Sequence, residues 1–98
     1  MFVHTVFFWL RKGISAADRK AFDAGLKSLL AIRTIRQGHV GRPAATDRPV
    51  IDRTYDRGLT VVFETKSDHD AYQSDPIHLK FVKTCSVHWI RVLVYDFE

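Results

Sequence analysis

The fold of this chain is decided near its N-terminus, where residues 2–10 read FVHTVFFWL. This composition is typical of a β-strand, and the polar run at residues 11–13 ends it. Alternate side chains of a strand point to opposite faces of the sheet. Both faces of this strand are largely apolar, with Phe2, His4, Val6 and Phe8 on one and Val3, Thr5, Phe7 and Trp9 on the other. Both faces of the sheet must therefore be covered.

The residues that follow predict a helix and two further strands. Ser15 is a good N-cap, and Phe22 and Leu26 begin an apolar helical face that continues to about residue 30. Residues 33–42 predict a second strand, which its glycines allow to be bulged. Residues 43–57 carry two prolines and many charges and predict a surface loop, and residues 58–65 predict a third strand.

The last third of the chain predicts a broken helix and a closing strand. Ser67 followed by Asp70 predicts the cap of a short helix, and Asp75-Pro76 predicts a new helix over residues 77–87. Residues 89–97, WIRVLVYDF, predict the final strand. The order β-α-β-β-α-β is that of the ferredoxin-like α+β fold with an antiparallel sheet.

Length and charge narrow the class of protein. A chain of 98 residues predicts a single domain over residues 1–98. Hydrophobic residues make up 46% of it, which is enough for a packed core. The net charge of +4 is spread along the chain rather than gathered in one basic block, so we expect no nucleic-acid partner.

The sequence also predicts a cytoplasmic protein. Cys85 is the only cysteine, which excludes an intrachain disulfide and fits a reducing compartment. No apolar run reaches the roughly 20 residues that span a bilayer, and no basic stretch precedes the apolar residues 2–10. We therefore expect neither a membrane-spanning helix nor a signal peptide.

The closing strand is apolar on both faces as well, and two helical segments can cover only one face of a four-stranded sheet. Covering about 500 Å² of the other face is worth about 12 kcal/mol before the costs of association. We therefore predict a homodimer, since a twofold pair buries the same apolar face twice. The predicted interface residues are Val3, Phe7, Trp9, Leu93 and Tyr95. The alternative is that the 43–57 loop covers this face, which its charges disfavour.

Three side chains are candidates for chemistry. Tyr72 and His78 lie on either side of the predicted helix break, and His4 lies on the apolar face of the first strand. A partly buried imidazole can act as a general base near neutral pH, and a phenol can donate a hydrogen bond to it or to an oxyanion. By spacing alone, each histidine is better explained as a hydrogen-bonded core or cap residue.

Several motifs together resemble the stress-responsive dimeric A/B barrel (Dabb) family. They are HTVFFWL at residues 4–10, YD at 55–56, LTVVF at 59–63, YQSDPIHLKF at 72–81 and VLVYDF at 92–97. The resemblance covers nearly the whole chain. It implies a ferredoxin-like fold whose sheets pair into a dimeric α/β barrel, with a cavity between sheet and helices in each subunit.

The resemblance also implies site residues. Members of the family include stress proteins and a cofactor-free cyclase that closes a linear polyketide by aldol condensation. Its catalytic pair corresponds to Tyr72 and His78, and its pocket to His4 and Trp89. The other residues expected to line the substrate pocket are Phe2, Val6, Phe8, Phe22, Leu26, Val61, Phe63, Phe81 and Val92.

Three functions remain open from the sequence. The first is a cofactor-free lyase or cyclase acting on a small carbonyl compound. The second is a non-catalytic module that binds a hydrophobic ligand or protects against stress, and the third is a cofactor-independent monooxygenase. His39, His69 and His88 show no recognised ligand spacing, and no glycine-rich phosphate loop is present, so neither a metal nor a cofactor is expected.

Overall fold

The computed structural model describes residues 1–98 as one four-stranded antiparallel sheet, in the order β2-β3-β1-β4, with helices on one face. Along the chain the elements are β1 (Phe2–Leu10), α1 (Ala16–Ser28), β2 (Gln37–Gly41), β3 (Arg57–Phe63), α2 (Lys66–Ser74), α3 (Pro76–Cys85) and β4 (Trp89–Phe97). The predicted ferredoxin-like α+β fold is therefore confirmed. None of the helices combines the length and apolar character needed to cross a bilayer.

The helix starts follow the capping residues in the sequence. Ser15 caps α1, where its Oγ accepts a hydrogen bond from the backbone N–H of Asp18 at 3.1 Å. Asp75 caps α3, where its Oδ1 accepts from the N–H of Ile77 at 2.8 Å, and Pro76 is the first helical residue. The predicted break between α2 and α3 is thus present at residue 75.

Two local predictions differ from the structure. The second strand is shorter than residues 33–42, because a 3₁₀ turn at Leu29–Ala31 is followed by a further turn before the chain becomes extended. The cap of α2 is Thr65, not Ser67, because Thr65 is extended and its Oγ1 accepts from the N–H of Asp68 at 3.2 Å. Ser67 already lies in the first helical turn.

The core lies between the helices and the even-numbered face of β1. Phe2, Val6 and Phe8 are buried on that face, and Phe22 and Leu26 of α1 pack over the sheet. Helices α1 and α3 approach closely at Gly25, where an added Cβ would lie 2.4 Å from the Sγ of Cys85. The single cysteine is therefore a buried packing residue.

The loop at residues 42–56 partly covers the other face of the sheet. The ring of Tyr55 packs edge-on against Phe7 at 4.8 Å between centroids, and the indole N–H of Trp9 donates to Thr54 Oγ1 at 3.1 Å. The expectation that this loop is too charged to cover the face is therefore wrong for the Phe7 and Trp9 end, because Tyr55 supplies the apolar contact.

The rest of that face stays open. Tyr95 is 58% exposed and Phe97 is 60% exposed, and Val3 and Leu93 beside them are only half buried. The register places Thr5 opposite Tyr95 and Val3 opposite Phe97, so these side chains form one continuous patch. The structure thus leaves an apolar surface on the β4 side of the sheet.

Candidate functional site

A cleft of about 160 Å³ opens between the sheet and helices α2 and α3. Strands β1 and β4 form its floor, and the two helices form its wall. It exists because the helices leave β4 uncovered, so that Val92 and Val94 are partly exposed on the helical side. The lining residues are His4, Val6, Phe8, Leu29, Leu59, Tyr72, Gln73, His78, Phe81, Val82, Trp89, Val92 and Val94.

The helix break brings Tyr72 and His78 to the same cleft. On a continuous helix with 3.6 residues per turn, side chains six positions apart would point about 120° apart. The break at Asp75 removes this separation, and the two ring centroids lie 4.9 Å apart at an interplanar angle of 59°. No hydrogen bond joins the two side chains, so of the two roles expected for Tyr72 this arrangement favours a hydrogen bond to an oxyanion over one to His78.

The third candidate, His4, is held by a carboxylate that the sequence did not single out. His4 lies directly opposite Asp96 in the β1–β4 register, and its Nδ1 is 2.5 Å from Asp96 Oδ1. The carboxylate therefore fixes the ring orientation. The His4 ring lies 5.8 Å from that of Tyr72, so the Tyr72 ring is a neighbour of both imidazoles.

The surroundings of His78 favour its neutral form. Burial lowers the pKa of His78 below its ordinary value of 6.5, and the charges of His4 and His69 lower it further when those rings are protonated. The backbone of Gln73 and the carboxylate of Asp75 oppose this only in part. At neutral pH the ring is therefore available as a base.

The surroundings of Tyr72 favour its protonated form. Its side chain is 1% exposed, and burial raises the pKa of the phenol well above 10. Its hydroxyl makes no hydrogen bond within the chain, although the side chain lines the cleft. A base with a lowered pKa thus faces an acid with a raised pKa, which is the pattern of paired groups with separate roles in proton transfer.

A third histidine, His69 of α2, lies behind His4. Its ring stacks on Phe2 at 4.4 Å and lies 5.0 Å from the ring of His4. One ligand atom each from His4, His69 and Asp96 lies within 4.8 Å of the others, so these three residues could hold a metal ion. Linear spacing did not indicate this set, because its members come from two strands and a helix.

The structure places the predicted pocket residues in two groups. Within the cleft, with His4, Tyr72 and His78, are Val6, Phe8, Phe81, Trp89 and Val92. Outside it are Phe2, Phe22, Leu26, Val61 and Phe63. These five are packed into the core between the sheet and the helices, so their side chains contact other core residues and not the cleft. The cleft instead includes Leu29, Leu59, Gln73, Val82 and Val94, which the sequence did not indicate.

A larger cleft of about 500 Å³ lies elsewhere, between α1 and the edge strand β2. Its walls carry the cations Lys20, Lys27 and Arg42. Its carboxylate, Asp23, is bound by Arg57 through two bonds of 2.7 and 3.1 Å. Its lining includes no histidine, cysteine, tyrosine or unpaired carboxylate, so we place the candidate site in the smaller cleft.

The fold and the cleft together define a ferredoxin-like α+β subunit with an enclosed tyrosine and histidine pair. The family model of the stress responsive A/B barrel domain (Dabb) matches residues 2–98, so the chain belongs to that family. No curated protein sequence matches the chain.

Solved structures support the same assignment. A Dabb family protein with a ferredoxin-like fold from Mesorhizobium loti is 27% identical, with a TM-score of 0.78 over 99% of this chain and 94% of that one. A dimeric ferredoxin-like protein from Thermobifida fusca is 16% identical (TM-score 0.79; 98% and 88% covered). A hydroxynitrile lyase from Passiflora edulis is 18% identical (TM-score 0.78; 98% and 90% covered). Other structures of this fold are also described as dimeric.

Proposed function

We propose that this protein is a homodimeric, cofactor-free lyase or cyclase that moves a proton at the carbon beside a carbonyl group. The observation that carries the proposal is the pairing of Tyr72 and His78 across one apolar cleft, 4.9 Å apart, with opposite pKa shifts. The two side chains are not hydrogen-bonded to each other. Both are free to act on a bound molecule.

In the proposed reaction, His78 takes the proton from the carbon next to the carbonyl. The electron pair of the broken C–H bond delocalises onto the carbonyl oxygen, which gives an enolate. Tyr72 donates a hydrogen bond to the enolate oxygen and keeps its own proton. The enolate carbon forms a C–C bond to a second carbonyl carbon, and protonated His78 returns the proton to the resulting alkoxide. A lyase runs these steps in reverse.

The size of the cleft limits the substrate class. An apolar cavity of about 150 Å³ is large enough to hold benzene. The cleft of about 160 Å³ therefore fits a compound with one six-membered ring or its equivalent, with any further chain extending toward solvent. We expect single-ring ketones, β-diketones or β-hydroxy ketones rather than fused-ring or charged substrates.

Exchange of α-protons tests the proposal without knowledge of the natural substrate. The protein is incubated in D₂O with a one-ring methyl ketone such as acetophenone, and loss of the methyl proton signal is followed by NMR. The proposal predicts exchange faster than in buffer. Binding without exchange would favour the hydrophobic-ligand module, and oxygen uptake with quinol substrates would favour the monooxygenase. Either result would overturn the proposal.

The exchange rate should rise with pH in the acid range and then stay constant. His78 acts as a base only when it is neutral, and burial lowers its pKa below 6.5. Exchange should therefore rise as pH increases through the acid range, with the midpoint of the rise below pH 6.5, and then level off. The raised pKa of Tyr72 keeps the phenol protonated, so the plateau should extend past pH 10. A rate that still rises between pH 7 and 9 would contradict this assignment.

The homodimer is proposed on the open sheet face. Tyr95 and Phe97 are exposed there beside Val3 and Leu93, and structures of the same fold are described as dimeric. The cleft with Tyr72 and His78 lies on the opposite side of the sheet, so the two surfaces do not compete. We infer that Phe7 and Trp9, already packed against the loop, contact the partner at the border of the interface.

A charge at Tyr95 should separate the dimer. Tyr95→Asp would bury an unpaired carboxylate in the interface, and loss of one central aromatic residue alone costs about 2 kcal/mol or more. We expect the dissociation constant to rise at least about 100-fold, as measured by analytical ultracentrifugation. Val87→Asp is the control, because Val87 is 66% exposed and lies on the turn before β4. If both variants remained dimeric, this face would not be the interface.

A further inference from the structure

Two histidines and a carboxylate converge where β1, β4 and α2 meet. His4 and Asp96 face each other across the strands, and His69 approaches from the helix. His4 and His69 are buried, while the Asp96 side chain is 39% exposed. The group is therefore enclosed on the protein side and open to solvent past Asp96.

One ring nitrogen of His69 has no partner within the chain and can bind a ligand from outside it. Its Nδ1 lies 3.1 Å from Asp70 Oδ1, and the carboxylate can only accept, so Nδ1 carries the hydrogen when the ring is neutral. This leaves Nε2 with an unshared electron pair. Nε2 is buried and has no hydrogen-bond partner, a state that is costly unless a ligand fills it. A carboxylate behind one nitrogen of a histidine is the usual support of a metal ligand.

The spacing of the three groups suits one ion after a small adjustment. With bonds of about 2.1 Å, tetrahedral zinc holds its ligand atoms about 3.4 Å apart. Here the ligand atoms lie within 4.8 Å of one another, and the His4 to Asp96 distance is 2.5 Å. Shifts of about 1 Å would bring all three to bonding distance, and side-chain rotation can supply them.

We propose that His4, His69 and Asp96 bind a divalent first-row transition-metal ion, with Zn²⁺ as the reference ion. Two imidazole nitrogens and one carboxylate favour such ions over Mg²⁺ or Ca²⁺, which take oxygen ligands. Three protein ligands leave one tetrahedral position open. The proposal goes beyond the proposed reaction, which needs no metal.

The experiment is a Zn²⁺ titration of the full-length protein after treatment with a chelator, in competition with a chromophoric chelator. We expect one ion per chain. Loss of a supporting carboxylate costs metal sites about 10–100-fold in affinity. Asp70→Asn should therefore weaken binding about 10-fold or more, and His69→Gln at least about 100-fold. Bound Co²⁺ should give the visible absorption bands of a low-coordinate site in the parent and not in His69→Gln.

The control is His88→Gln, because His88 lies on the turn before β4 and belongs to neither site. It should bind Zn²⁺ as the parent does. Thermal unfolding shows whether His69→Gln still folds, and Asp70→Asn gives an independent test because Asp70 lies on the surface. Equal affinity in the parent, Asp70→Asn and His69→Gln, or less than one ion per chain in the parent, would overturn the proposal. Tyr72→Phe should retain Zn²⁺ binding, which separates this test from that of the proposed reaction.

Discussion

His78→Ala is expected to slow the proposed proton-transfer reaction by about 10²–10⁴-fold, since this is the usual contribution of a positioned general base. The expected loss corresponds to about 3–5 kcal/mol of transition-state stabilisation, at 1.36 kcal/mol for each tenfold change. The measurement is the α-proton exchange rate of the same one-ring ketone. A rate within threefold of the parent would exclude His78 as the base.

Two further variants separate catalysis from folding. Tyr72→Phe keeps the buried ring and removes a hydroxyl that makes no hydrogen bond within the chain, so we expect no loss of stability but a clear loss of rate. His88→Ala removes a histidine that lies outside the cleft and should leave the rate unchanged. If His88→Ala and His78→Ala slowed exchange equally, the effect would belong to folding and not to the cleft.

Leu26→Ala should lower the free energy of unfolding by about 3–5 kcal/mol. Leu26 is 1% exposed and packs between α1 and the sheet, and deletion of such a side chain loses burial and leaves a cavity. A domain of this size has only about 5–15 kcal/mol of stability, so the variant should unfold at much lower denaturant concentration. Urea unfolding followed by circular dichroism gives the value.

Leu79→Ala is the matched control, because Leu79 is a helical leucine of α3 that is 56% exposed. We expect its effect to stay within about 0.5 kcal/mol, as for most surface substitutions. If the two variants lost similar amounts of unfolding free energy, α1 would not cover the sheet through Leu26 as described.

The order of strands and helices could be predicted because the strongest elements carry local signals. β1 and β4 are continuous runs of strand-forming residues, and the break between α2 and α3 follows from Asp75-Pro76. The start of β2 could not be predicted, since the 3₁₀ turn after α1 leaves no distinct pattern in residues 33–36. Whether the loop covers the sheet depended on a single aromatic residue, Tyr55, in a segment otherwise rich in charge.

The candidate site could be predicted only in part. Tyr72, His78 and His4 could be predicted mainly from the resemblance to the Dabb family, since spacing alone gives only a weak signal, and the structure brings them to one cleft. Asp96 and His69 were missed because their roles depend on contacts between distant segments. Only the register of β1 against β4 puts Asp96 opposite His4, and only the docking of α2 brings His69 behind them.

The helix break at Asp75 makes the geometry of the proposed catalytic pair, Tyr72 and His78, independent of the sheet face assigned to the dimer. The mutual position of Tyr72 and His78 depends on a segment of seven residues on the outer layer, and the sheet face that we assign to the dimer contributes nothing to it. Substitutions within this segment should change the proposed reaction while leaving the proposed dimer face intact. On this fold, chemistry and assembly can therefore vary independently of each other.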